Sequence, residues 1–158
     1  VSKIYKNNKN FFFKLKKKLP KFIKSFPINK KELSKAILND NNNLKKISKI
    51  IHPLVRYKMN RFIKKNFKKK AIILDIPLYF ENKINKKKDI VIYVYGKRSQ
   101  ILKRLKLRKG FNIKIYDRLK KIQLSNEKKK KRSNLFIKNN FNKRSLKKEI
   151  NMLKLKIF

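Results

Sequence analysis

This chain of 158 residues carries 50 Lys and Arg against eight Asp and Glu, so each carboxylate and each arginine calls for an explanation. Asp75 closes the run AIILD and is followed by Ile76-Pro77. A short, continuous, Ile-rich run fits a strand buried on both faces of a parallel sheet. Pro77 cannot donate to a ladder, so that strand ends there. Asp75 then stands at the carboxyl end of a strand, where open α/β sheets bind ligands. Its carboxylate either faces a substrate or metal, or caps the next turn. Arg104 and Arg108 are four apart, on one face of an expected helix over 99–108. A guanidinium fork suits phosphate better than a lysine does; the plainer alternative is a solvated basic face. His52 and Arg56 are also four apart, across an expected helix start at Pro53. There they could hold an anion, or His52 could simply be packed and hydrogen-bonded.

No G-x-x-x-x-G-K-[ST] occurs, and Gly96 and Gly110 are the only glycines. These residues therefore offer no glycine-rich loop to cradle a triphosphate. The chain has no cysteine and one histidine, which excludes a disulfide framework, a thiolate site and a histidine-rich metal centre. No apolar run approaches the ~20 residues of a membrane helix, and no signal peptide is evident; a cytoplasmic protein is expected. A net charge of +42 suggests nucleic acid or an anionic surface. However, Lys, Asn, Ile and Phe are inflated together and the lysines spread along the whole chain. That pattern fits A/T-rich coding, with non-specific polyanion binding at low salt.

The elements that must position these groups follow from periodicity and punctuation. Residues 1–19 read as helix, loop, helix, with the pattern already helical at Val1. Asn29 can cap a helix carrying Leu33, Ala36 and Ile37. The run DNNN (40–43) is a turn or cap before the stripe Leu44, Ile47, Ile50 and Ile51. Pro53 suits the first turn of a new helix bearing Leu54, Val55, Met59, Phe62 and Ile63. DIVIYVY (89–95) and Leu135, Phe136 and Ile137 read as strands. Gly110 suits a helix C-cap, 112–124 is weakly helical, 128–132 is a charge run, and Ser145 can cap a last helix. Strands alternating with helices imply a parallel α/β sheet.

Three stretches in order, IIHPLVR (50–56), ILDIPLYFEN (73–82) and DIVIYVYGKRSQILKRLKLRKG (89–110), resemble dephospho-coenzyme A kinases. That family places a His-Pro pair before a strand ending in D-x-P-L-x-[FY]-E, then a V-V-x-V strand and Q-x-x-R-L-x-x-R-x-G. Gln123 and SNLFIKN (133–139) resemble its downstream Gln and A-D-x-x-I-x-N, with Ser133-Asn134 in place of Ala-Asp. The likeness spans roughly residues 30 to 155. Arg118 falls near the family's lid arginine.

The resemblance implies a P-loop kinase-like α/β fold: a three-layer parallel sheet with helices on both faces. It divides the chain into a helical acceptor-binding part (1–70), a nucleotide-binding core (71–108), a basic lid (109–132) and a closing strand and helix (133–158). It implies transfer of the γ-phosphoryl group of ATP, with Mg²⁺ in the substrate complex, to the ribose 3′-hydroxyl of dephospho-CoA. His52, Arg56, Asp75 and Glu81 would serve the acceptor, and Arg104, Arg108, Arg118 and Asn139 the ATP. The family's phosphate loop, its Lys and the general base precede the matching region. The expectation is therefore an N-terminally truncated, inactive form without the central strand of a 2-3-1-4-5 sheet. Strands 89–95 and 135–137 would still pair, with an empty slot between them and 72–76. No specific nucleic-acid partner and no membrane are expected on this reading. The competing class is a small basic nucleic-acid-binding protein, ribosomal or nucleoid-like.

Overall fold

The computed structural model describes residues 2–158; Val1, where the helical pattern was expected to begin, lies outside the described residues. The chain divides into two compact units, Val1–Asp75 and Ile76–Phe158.

The first unit is helical. Helix α1 (Ser2–Asn7) leads into α2 (Lys9–Lys18), whose N-cap Asn8 accepts the Phe11 N–H at 2.7 Å. Phe11 and Leu15, one turn apart, are fully buried with Ile4 and Ile23. The neighbouring lysines stay on the solvent side. Helix α3 (Lys30–Asn39) starts at the expected cap, Asn29, which accepts the Lys31 N–H. Its Leu33 and Ala36 join Ile47 and Ile51 of α4 (Asn41–Lys65) in one core. Asp40 caps α4 through the Asn42 N–H. The buried Asn43 donates from Nδ2 to the Ala36 carbonyl at 2.9 Å, which ties the α3–α4 turn.

Two expectations are corrected here. Pro53 does not start a helix but lies inside α4. Its missing N–H would have bonded the Lys49 carbonyl. Both residues are exposed, so water can take that bond while Ile47, Ile51, Leu54 and Val55 keep one stripe on the core side. Residues 71–76 form no strand. Ile73 is 89 % exposed and Leu74 38 %. A strand buried on both faces needs ladder partners, which an apolar run cannot supply alone.

The second unit has mostly helices around a two-stranded parallel sheet, β1 (Ile92–Tyr95) and β2 (Leu135–Lys138), in the register Ile92–Leu135 to Tyr95–Lys138. The expected pairing of these two strands holds, but β1 is shorter than 89–95. Asp89 is held in a turn, its carboxylate accepting the Tyr79 O–H and the Lys86 N–H. Burial and that bond push the Tyr79 phenol up to about 12. Asn134 takes the other side of the strand start: its Oδ1 accepts the Val91 N–H at 2.8 Å. A carboxylate at 134 could accept the same bond, so the Asn134 that stands where the resemblance leads one to expect Asp keeps this contact.

Helix α5 (Arg98–Lys106) ends before Arg108, and Gly110 has a φ of 79°, the left-handed turn expected of it. Helix α6 (Ile113–Lys121) is capped by Asn112, whose Oδ1 accepts the Ile115 N–H. The charge run forms α7 (Asn126–Lys131), capped by Ser125. Helix α8 (Lys143–Ile157) begins at Asn142, not Ser145, because Asn142 Oδ1 accepts both the Arg144 and Ser145 N–H groups.

Candidate nucleotide and acceptor sites

Parallel strands deliver their carboxyl ends to one edge, and here the two ends meet closely. The Asn139 N–H donates to the Tyr95 carbonyl at 2.7 Å. A Cβ on Gly96 would fall 2.8 Å from the Asn139 carbonyl oxygen, so this approach requires glycine. Beside it lies a cleft of about 370 Å³ lined by Lys97, Gln100, Asn139, Asn140, Ser145 and Glu149. Gln100 and Asn139 come from the motifs singled out in the sequence. The Glu149 carboxylate accepts the Lys138 N–H at 2.8 Å, fixing α8 to the end of β2.

Asn139 Oδ1 accepts the Phe141 N–H at 2.8 Å, and Arg104 on α5 lays its guanidinium over the Phe141 ring, 4.7 Å from its centre. Phe141 thus connects Asn139 to Arg104. Sequence reasoning missed it, since its φ of 62° is unusual for a phenylalanine. Arg108 is exposed in the turn after α5, not on the helix face with Arg104. Arg118 is half-buried in the last turn of α6.

His52 and Arg56 do share a face of α4, but in mid-helix. The free N–H groups of a helix start are therefore not available to an anion beside them. Burial, and then the Arg56 cation, lower the His52 pKa and favour the neutral imidazole. Asp75 is exposed at the end of the first unit.

Glu81 belongs to the second unit and is already engaged. Its Oε1 accepts the Leu124 N–H at 2.8 Å and faces Lys129 Nζ at 3.4 Å. Burial alone would raise its pKa, but the Leu124 N–H, its own backbone and Lys129 together bring it below the ordinary carboxylate value. Among the described residues no group of three His, Cys, Asp or Glu gathers to hold a metal ion, and no helix is long and apolar enough to cross a membrane.

A cleft at the carboxyl edge of a parallel pair of strands, with mostly helices around them, is compatible with the fold class of a P-loop kinase. The family model for dephospho-CoA kinase matches residues 3–145. Curated relatives named dephospho-CoA kinase include that of Bartonella henselae, 32 % identical over 139 residues, covering 87 % of this chain and 71 % of the relative. That of Rickettsia felis is 33 % identical over 135 residues, covering 85 % and 70 %. That of Rickettsia bellii is 32 % identical over 131 residues, covering 83 % and 68 %. The chain belongs to the dephospho-CoA kinase family, a family of kinases of coenzyme A biosynthesis.

Proposed function

We propose that this chain serves the ATP-dependent phosphorylation of the ribose 3′-hydroxyl of dephospho-CoA, the last step of coenzyme A synthesis. The observation that carries the reading is the cleft at the carboxyl ends of β1 and β2, where Gln100 and Asn139 of the family motifs meet. In the reaction the hydroxyl oxygen attacks the γ-phosphorus. The β–γ bridging oxygen leaves with the bonding electrons as ADP, and the hydroxyl proton passes to a base. Such catalysis is chiefly positioning and charge neutralisation, with Mg²⁺ carried on the ATP.

On this reading Asn139 lies beside the adenine, and Arg104, Arg108 and Arg118 face phosphate charge. His52, Arg56 and Asp75 serve the acceptor. Neutral His52 can donate or accept a hydrogen bond to a ribose or amide group without adding charge. Glu81, expected on the acceptor, has its carboxylate committed to Leu124 and Lys129 and so does not touch the acceptor directly on this reading. The reading places neither the phosphate-cradling loop nor the base among these 158 residues, so by themselves they bind both substrates without transferring phosphate.

The test measures binding of dephospho-CoA, coenzyme A and Mg·ATP to the 158-residue protein, together with coenzyme A formation. Dephospho-CoA binding more tightly than coenzyme A, with ATP binding and no product, is the expected result. Failure to bind either substrate overturns the reading. Formation of coenzyme A upholds the reaction and overturns the inactivity of these residues alone.

A further inference from the structure

Helix α7 has six residues, four of them lysines at 128–131. A helix this short does not stand alone in water, and repulsion among its cations weakens it further. Its position is set by two neighbours. On one side Tyr93 of β1 donates its O–H to Asn126 Oδ1 at 2.9 Å, and Lys130 lies over the Tyr95 ring at 4.5 Å. On the other side the turn 77–83 grips it at three points. Glu81 takes the Leu124 N–H just before the helix and the Lys129 ammonium within it, and Phe80 lies under the Arg132 guanidinium just after it, at 4.6 Å. Lys129 also reaches Gln123 Oε1 at 3.4 Å, closing the link between α6 and α7.

Glu81 is the one group here that answers both a backbone N–H and a cation. Its side chain is 11 % exposed and that of Lys129 15 %, so water screens this pair far less than a surface pair. The next element upstream of Leu124 is α6, which carries Arg118.

We infer that Glu81 is a positioning residue: with Lys129 and the Leu124 N–H it latches α7 to the turn 77–83 and so sets the root from which α6 presents Arg118. That Arg118 then meets ATP phosphate rests on the function proposed above; the latch itself does not.

Amide hydrogen exchange on the whole 158-residue chain at neutral pH tests it. Glu81→Gln and Lys129→Gln are each expected to raise exchange across residues 124–132 at least tenfold, leaving β1 and β2 protected. The exchanged pair Glu81→Lys with Lys129→Glu should restore only the part of the protection that the ion pair supplies, because a lysine at 81 cannot accept the Leu124 N–H. Asp117→Asn, which removes an exposed carboxylate from α6, should change nothing at 124–132. Unchanged exchange in both single variants overturns the inference. So does equal loosening of β1, β2 and α7, which would make Glu81 a residue of the general fold. Repeating the measurement with Mg·ATP separates the two claims. ATP should protect 113–121 in the unaltered chain and at least fivefold less in Glu81→Gln. Absence of protection in the unaltered chain counts against the proposed function, while the exchange at 124–132 still decides the latch.

Discussion

The Asn139 carbonyl oxygen stands 2.8 Å from the point a Cβ on Gly96 would occupy. The contact is with backbone at the exit of β2, which cannot swing aside as a side chain can. Gly96→Ala should therefore part the two strand ends and cost about 1–3 kcal/mol. Gly110 offers a contrast: nothing lies within 4 Å, but its φ of +79° is left-handed. Gly110→Ala should cost about 1 kcal/mol through backbone strain alone. Chemical denaturation gives both values. Amide exchange at Asn139, which bonds the Tyr95 carbonyl, should rise only in Gly96→Ala.

Asn43 supplies a second stability test. It is buried, and its Nδ2 donates to the Ala36 carbonyl at the α3–α4 turn. Asn43→Leu leaves that carbonyl without this donor and should cost about 1–3 kcal/mol. Asn43→Asp cannot donate and places a charge in the helical core, so it should cost more. Equal stability of all three proteins would show that the turn is held by its apolar contacts only.

How much of this was legible depended on how local each cause is. Asn29, Gly110 and the strands around Ile92 and Leu135 were readable because caps, left-handed turns and β-branched runs act within a few residues; the pairing of the two strands was expected from the resemblance. Pro53 misled because a mid-helix proline can be accommodated where the carbonyl one turn back is open to water and the apolar stripe continues past it, as at Lys49. The run at 71–76 misled because strand formation requires a partner edge, which composition does not report. The engagement of Glu81 was hidden for another reason. Its partner Leu124 is 43 residues away and contributes only a backbone N–H, so no side-chain type marks it. The cap at Asn142 was missed by three residues because both Asn142 and Ser145 are capable caps, and only the observed bonds choose between them.

Glu81 also gives a pH prediction with a definite sign. Burial opposes its charge, but the Leu124 N–H, its own backbone and Lys129 outweigh that and hold the folded pKa below the ordinary 4.5. A depressed carboxyl contributes stability that is full above the unfolded value and is lost as pH falls through the folded one. Tyr93, whose phenol is raised by burial and by Glu127 and Glu81, stays protonated throughout this window. Protection of 124–132 should thus hold at pH 6 and decline from about pH 4.5 downward. In Glu81→Gln that decline should be absent, because the amide at 81 has no carboxyl to protonate. A decline of equal size in both proteins would assign it to other carboxylates.

The two arginines of the Q-x-x-R-L-x-x-R segment should respond differently to lysine. Arg104 lies over Phe141, and a flat guanidinium covers a ring in a way an ammonium does not. Arg104→Lys should loosen Phe141 as well as weaken ATP, and Phe141→Leu should reproduce most of the loss. Arg108 is exposed beyond the end of α5, so Arg108→Lys should leave stability unchanged and, on the function proposed above, act only on ATP. A fivefold weaker affinity, about 1 kcal/mol, is the expected size for each. Calorimetric titration with Mg·ATP measures it, and an affinity within twofold for Arg108→Lys would mark that residue as surface.

His52 tests the acceptor side. It lies in α4 beside Arg56, half-buried, with its pKa lowered by burial and then by that cation. It is therefore neutral at pH 7 and charges only below its ordinary 6.5. A lowered histidine pKa means that protonation is less favourable in the folded chain. The unfolded chain then binds the proton first, and its population grows as pH falls below 6.5. If His52 meets dephospho-CoA, His52→Ala should weaken that ligand about tenfold, roughly 1.4 kcal/mol, while changing ATP affinity less than twofold. His52→Gln keeps a neutral group able to donate and accept, and should recover part of the loss. Both affinities falling together, with a lower unfolding midpoint, would identify His52 as a packing residue of α4. The comparison of His52→Ala with His52→Gln decides between these roles, because a packing defect is not repaired by restoring a hydrogen bond.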